Sequence, residues 1–192
     1  VKSCGVILSG GKSTRMGKNK SLLPLQNKPV IEHVAEELMK CSDEVVVVTN
    51  EPSAYKFLHV PLIEDRYVNK GPLAGLDTAL YHQEADIFLI AACDMPFINQ
   101  YVYAYLIDQL NQYDAVVPIF ENQMHPLAGI YRKSVLPTIQ HQLMNDNRKV
   151  RGILDHIQVN YVHHFATISA EILTKHFFNM NYPMQYDQAK KV

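Results

Sequence analysis

Cysteine, one-sided charge and long apolar runs are all scarce in this 192-residue chain. The three cysteines, Cys4, Cys41 and Cys93, lie too far apart for a zinc-ligand pair or a Cys-x-x-Cys redox motif. The odd count and the apolar neighbours of Cys4 and Cys93 point to buried free thiols in a reducing compartment. No stretch approaches the roughly 18 apolar residues a membrane helix needs. Val1-Lys2-Ser3 runs straight into an expected strand and has no signal-peptide layout, so a cytoplasmic location without a membrane partner is expected. The 18 Lys and Arg nearly balance the 19 Asp and Glu, for a net charge of -1 with His neutral. Such a balance supplies no general field for nucleic acid, so any anion site has to be built locally. Linkers, repeats and low-complexity tracts are also missing, and one domain over residues 1–192 is expected. No Ser-His-Asp or Cys-His nucleophile layout stands out. His163 and His164 are adjacent in an expected strand, so they point to opposite faces and form no ligand pair.

What is present is an ordinary globular composition, 47% hydrophobic and 19% charged. Short apolar runs rich in β-branched residues occur at 5–9, 44–49, 60–63, 86–92 and 115–120. Consecutive apolar positions suit strands buried on both faces. Helical spacing fills the intervals at 29–40, 72–82 and 100–112. The alternation predicts a three-layer α/β/α fold around a mostly parallel, Rossmann-like sheet. Further on, the pattern predicts a strand at 127–132 after a turn at 121–123, helices at 133–144 and 149–156, a strand at 159–164 and a helix at 170–178.

In an open parallel sheet, ligands bind beyond the carboxyl ends of the strands. Here the first strand ends in Leu8-Ser9-Gly10-Gly11-Lys12-Ser13-Thr14-Arg15-Met16-Gly17. Gly10 and Gly11 permit close approach of backbone N–H groups to a phosphate, and Ser13 and Thr14 add hydroxyl donors. Arg15, Lys12, Lys18 and Lys20 bring positive charge, and Arg can grip an oxyanion at two points. The spacing is neither a P-loop nor a Gly-x-Gly-x-x-Gly dinucleotide fingerprint. The next strands end at Asn50, at Glu64-Asp65-Arg66 and at Cys93-Asp94-Met95-Pro96. A glycine loop, an amide and two acidic segments on one edge make a nucleotide site with a metal. Asp94 suits Mg²⁺, which takes few protein carboxylates and completes its shell with water and phosphate oxygens. Its bland alternative is a cap on the helix starting near Asn99. Asp65 can instead pair with Arg66 on the surface, and Asn50 can simply end a strand.

Gly71-Pro72-Leu73-Ala74-Gly75 places Pro in a first helical turn. Its glycines allow a ligand close approach, or serve tight helix–sheet packing. A helix start there would offer N–H groups to the nucleotide. His125 in a loop is either a substrate contact or an exposed loop residue. Arg148, Lys149 and Arg151 fit a second anionic substrate or a solvated helix start. Asn179 and Asn181, on either side of Met180, can present amides to a polar ring or turn the chain before Pro183.

The glycine loop resembles the Leu-Ala-Gly-Gly-x-Ser-x-Arg-Met-Gly-x-Asp-Lys signature of the molybdenum cofactor guanylyltransferases. Three segments match that family in order: 71–75, Cys93-Asp94-Met95-Pro96-Phe97 and His125-Pro126-Leu127. The tail from Asn179 is similar to the family's Asn-x-Asn-Thr-Pro-Glu. The resemblance implies a nucleotide-diphospho-sugar transferase type of fold. It also implies transfer of GMP from GTP to the phosphate of molybdenum-molybdopterin, with pyrophosphate released and Mg²⁺ as cofactor. By position, Leu8, Ser9, Gly10, Lys20 and Asp65 would contact the nucleotide, Asp94 would hold the metal, and Asn179 and Asn181 would face the pterin. Arg15 and Lys20 would neutralise the leaving pyrophosphate. Molybdenum-insertion proteins and molybdoenzymes are the partners this implies. The sequence departs from the pattern at Ser9 for Ala, Asn19 for Asp and Tyr182 for Thr, and at Met184-Gln185 for acidic residues. Related cytidylyltransferases usually lack the Gly-Pro-Leu-Ala-Gly segment, which favours guanine. Two other readings stand beside this one: a nucleotidyltransferase with a cytidylyl donor or a sugar-phosphate acceptor, and a non-catalytic nucleotide-binding module.

Overall fold

A strand with apolar side chains at successive positions has to bury both faces, and helices on either side are the usual means. The computed structural model describes residues 1–10, 19–67 and 70–192. Strand β1 (Ser3–Ser9) is followed by a 3-10 turn at Lys20–Leu22, a short hairpin of β2 (Pro24–Leu25) and β3 (Lys28–Pro29), and helix α1 (Val30–Met39). Then come β4 (Glu44–Thr49), a 3-10 segment at Pro52–Leu58, β5 (Leu62–Ile63), α2 (Pro72–His82), β6 (Ile87–Ala92) and α3 (Gln100–Asp108). The second half holds β7 (Ala115–Phe120), β8 (Gln123–Met124), β9 (Ile130–Arg132), α4 (Leu136–Met144), β10 (Val159–Val162), α5 (Ala170–His176) and α6 (Pro183–Ala189).

The main sheet runs β10-β7-β9-β6-β1-β4-β5, with β8 paired to β7. The pairs β1–β4, β1–β6, β4–β5 and β7–β10 are parallel, and β9 runs antiparallel between β6 and β7. Alternate residues of the central strands serve opposite cores, as a period of two requires. Ile7, Val45, Val47 and Leu89 pack with α1, α3 and α5 on one face. Val6, Val46, Val48 and Phe88 pack with α2 and α4 on the other. This is the mostly parallel three-layer α/β/α arrangement. A third, small cluster joins Met180 and Ala189 of the tail to Leu25 and Val30. Among the described residues, no helix is long and apolar enough to cross a membrane.

Several local expectations change. The strand at 60–63 shortens to Leu62–Ile63, because Pro61 has no N–H for the ladder and only its carbonyl accepts, from Val47. Residues 126–128 form a 3-10 turn opening on a proline, leaving only Ile130–Arg132 as strand. Residues 150–156 are 3-10 and not α-helical, with Gly152 weakening the middle of the segment. The last strand stops at Val162, so His163 and His164 lie beyond it and the opposite-faces argument does not apply to them. Cys93 is only partly buried, whereas Cys4 is fully so. Helix α6 was not expected. Pro183 opens it, and Gln185 Oε1 accepts the N–H groups of Asn181 (2.6 Å) and Tyr182 (3.0 Å). Gln185 thus closes the start of the helix with its amide oxygen.

Candidate active site

The carboxyl ends of β1, β4 and β6 open onto a cleft of about 370 Å³. Leu8, Gly10, Asp65, Gly71, Gly75, Asp94, His125 and Asn179 all line it. Six separate stretches of sequence thus meet at the edge that strand polarity singled out. Gly11 and Arg15, with Lys12, Ser13, Thr14 and Lys18, lie outside the described residues.

Asp65 follows β5 and faces two glycines. Its Oδ2 accepts from Asn50 Nδ2 at 3.3 Å and would lie 3.6 Å from a Cβ at Gly10. Its Oδ1 would lie 3.6 Å from a Cβ at Gly75 and is buried with no hydrogen-bond partner among the described residues. Burial pushes its carboxyl above the usual range, only partly opposed by Asn50. A desolvated oxygen without a donor, beside two absent side chains, is a place for a ligand group. Arg66 is not its partner. The guanidinium turns to α2, where Nη1 donates to buried Asp77 at 2.9 Å and the group stacks 3.5 Å from the Tyr81 ring centre.

Asp94 lies just past β6. Desolvation raises its carboxyl above the usual range, and the positive charge of Lys20 works in the opposite direction. It does not cap α3, because Asn99 does so itself, accepting from Tyr101 N–H at 2.9 Å. The Asp94 carbonyl accepts from Met180 N–H at 2.9 Å, which draws the tail to the end of β6. Asn181 Oδ1 is then 3.4 Å from Lys20 Nζ, whose charge also acts on Asp94.

The helix start at Gly71 contributes differently from expectation. Pro72 has no N–H, Leu73 N–H is taken by the Arg148 carbonyl at 3.3 Å and Ala74 N–H by the Gly71 carbonyl at 3.1 Å. These amides are engaged within the protein, so α2 offers the cleft close approach and not a row of donors. Gly71 has φ 74°, a conformation open chiefly to glycine. At Gly75 a Cβ would press on Leu8 Cδ2 at 3.0 Å, so packing and cleft shape are both served. Arg148 pairs with Asp146, and Lys149 and Arg151 are exposed, as a solvated segment would have them.

His125 separates the cleft from an adjoining hollow of about 330 Å³, lined also by Phe120, Gln123, Phe177, Asn179 and Asn181. Its ring packs on Phe177 at 4.6 Å between centroids, and burial pushes its pKa down, so it is neutral near pH 7. Ser9 lines neither hollow. Its hydroxyl donates to buried Tyr55 Oη at 2.6 Å. Sequence reasoning missed Tyr55 and Gln185. Pro183 with Gln two residues later was a readable helix start, whereas nothing local marks Tyr55.

Comparison with known proteins agrees with this geometry. Residues 5–162 match the family described as MobA-like NTP transferase domain. A "Probable molybdenum cofactor guanylyltransferase" of Carboxydothermus hydrogenoformans is 34% identical over 97% of this chain and 94% of its own. One of the same name from Bacillus cereus is 35% identical over 97% of this chain and 95% of its own. The crystal structure of molybdopterin-guanine dinucleotide biosynthesis protein A from Archaeoglobus fulgidus superposes with a TM-score of 0.84 at 26% identity, covering 98% of this chain and 97% of that one. With its sheet-edge cleft, its matched segments and relatives that span its length, the chain belongs to the MobA-like NTP transferase family, a family of nucleotidyltransferases.

Proposed function

We propose that the protein transfers GMP from GTP to the phosphate of molybdenum-molybdopterin, giving the guanine dinucleotide cofactor and pyrophosphate. The observation that carries this reading is the convergence of Asp65, Asp94 and Lys20 at the sheet edge that leads into the glycine loop. GTP takes the cleft and the acceptor takes the adjoining hollow, where His125, Asn179 and Asn181 meet. The whole chain acts as one domain, in the cytoplasm, exchanging substrate and product with molybdenum-insertion proteins and molybdoenzymes.

An acceptor phosphate oxygen attacks the α-phosphorus of GTP in line. The new O–P bond forms as the bond to the bridging oxygen breaks, and that electron pair leaves with pyrophosphate. A phosphate acceptor is already ionised near neutral pH, so no general base is required. The chain's work is therefore positioning and charge stabilisation. Lys20, held by Asn181, neutralises the pyrophosphate together with Arg15. Asp65 Oδ1 takes its missing donor from the nucleotide.

Enzymes of this kind generally use a divalent metal, and we assign Mg²⁺. Among the described residues no group of three or more His, Cys, Asp and Glu forms a cage. One carboxylate completed by phosphate oxygens is the usual Mg²⁺ arrangement, and Asp94 fits it. When bound, Mg²⁺ supplies charge withdrawal from the phosphates.

The test incubates the protein with GTP, Mg²⁺ and molybdenum-loaded molybdopterin, with CTP in parallel, and weighs the product. A guanine dinucleotide is expected, and a cytosine product or none overturns the reading. In the same assay Asp94→Ala should lose roughly a hundredfold or more in turnover with its fold intact by circular dichroism. Full activity in that variant would remove Asp94 from the site.

A further inference from the structure

Two departures from the family's loop signature, Ser9 and Asn19, end on one atom. Ser9 Oγ donates to Tyr55 Oη at 2.6 Å, and Asn19 Nδ2 donates to it at 2.7 Å. Ser21 Oγ lies 2.8 Å from the same oxygen and gives its own proton to Asn19 Oδ1 at 2.6 Å. The Tyr55 proton therefore goes to Ser21. With one bond donated and two accepted, the hydroxyl's capacity is full. Tyr55 is 1% exposed on the segment Pro52–Leu58, and its ring belongs to the core beneath β1 and β4. An Asn at position 19 supplies a donor that Asp lacks, and a Ser at position 9 supplies one that Ala lacks.

Ser9 and Asn19 flank residues 10–18, the glycine loop. Two side chains ten positions apart thus share one buried oxygen, which closes that loop at its base. Asn19 Oδ1 also accepts Ser21 N–H at 3.2 Å, capping the 3-10 turn whose first residue is Lys20. We propose that Tyr55 is a positioning residue for the nucleotide loop. Its hydroxyl ties the two ends of the loop together and fixes where Lys20 starts. The consequence for GTP rests on the transfer reading above, whereas the tie itself rests on the hydrogen bonds alone.

Tyr55→Phe removes the hydroxyl and keeps the ring. The control is Tyr103→Phe, which deletes another buried hydroxyl, one that donates to the Ile90 carbonyl at 2.7 Å. Trypsin can cut the loop after Lys12, Arg15 and Lys18. Without nucleotide, cleavage at these three positions should run roughly three- to tenfold faster in Tyr55→Phe than in the unaltered protein, the scale of one or two lost hydrogen bonds. The KM for GTP should rise by a similar factor while kcat changes less, because saturating GTP offsets a weakened binding step. Ser9→Ala should add little in the Tyr55→Phe background, since both cut the same link. Tyr103→Phe should move neither readout. Loop cleavage at the unaltered rate in Tyr55→Phe, or equally fast in Tyr103→Phe, would overturn the tie. Faster cleavage with an unchanged KM would overturn its role in nucleotide positioning. If the unaltered protein bound no GTP, the transfer reading would fail, and the cleavage rates would still decide the tie.

Discussion

Asp65 costs the ligand-free protein stability. Its carboxyl is desolvated, one oxygen has no partner among the described residues, and its pKa is raised by that burial. A carboxyl whose folded pKa is raised binds its proton more tightly in the fold than in the unfolded chain. Stability is then lost as pH rises through the ordinary carboxylate value of about 3.9 towards the raised one. Asp65→Asn removes the charge and should raise the melting temperature at pH 7 by about 2–4 °C. That gain should vanish below the ordinary carboxylate pKa, and GTP binding should fall sharply at pH 7. A variant that melts lower at pH 7 and still binds GTP would contradict both halves. The position of Asp65 at a strand end was legible in the sequence. Whether it faced Arg66 was not, because the partner that draws Arg66 away is Asp77, eleven residues on and buried inside α2. Tyr55 is the extreme case of this kind. Its three partners come from β1 and from the turn after the glycine loop, and no local spacing links them.

In α2, the segment Gly71-Pro72-Leu73-Ala74-Gly75 was visible as a helix start, but its two glycines answer to different constraints. Gly71 has φ 74° and ψ -169°, a region almost closed to other residues, and an added Cβ would also meet the Arg148 carbonyl at 3.2 Å. Gly71→Ala should lose about 1–3 kcal/mol in chemical denaturation. Gly75 is ordinary helix, where Ala is favoured by about 1 kcal/mol. Its new methyl would meet Leu8 Cδ2, the tip of a side chain that can yield slightly. Gly75→Ala should therefore stay within about 1 kcal/mol of the unaltered protein and yet weaken GTP binding, because Leu8 must shift into the cleft. Equal losses of stability in the two variants would refute this division. Elements followed periodicity where both faces of a strand or one face of a helix were apolar, as in β1, β4, β6, α1 and α2. They departed from it at prolines and glycines, in residues 60–63, 126–128 and 150–156, where backbone chemistry outweighs side-chain pattern.

For the whole molecule, layering was readable because parallel strands need cover on both faces, and the ligand edge followed from their direction. The reversal of β9 and the folding back of the tail depend on partners far along the chain, and no window of sequence contains them. A buried histidine just before the tail favours the fold less as the pH falls. His176, at the end of α5, is fully buried against Tyr103 and Phe177. Its Nδ1 accepts from Asn99 N–H at 2.9 Å, so the ring's proton sits on Nε2, which has no partner among the described residues. Burial, and then the charge of nearby His125, push its pKa down to about 3. A histidine with a depressed folded pKa favours the fold fully above its unfolded pKa of about 6.5. That contribution is lost as pH falls towards about 3, at up to about 1.4 kcal/mol per pH unit. His125, also depressed by burial, acts in the same direction. His176→Asn keeps an acceptor for the Asn99 N–H but does not titrate. It should be less stable at pH 7 for the lost ring volume, with a shallower decline between about pH 6.5 and pH 4. Denaturation curves at a series of pH values decide this. Parallel declines in the two proteins would assign acid sensitivity to His125 and the surface ion pairs, whereas convergence on acidification would assign it to the buried ring that joins the end of α5 to the start of α3.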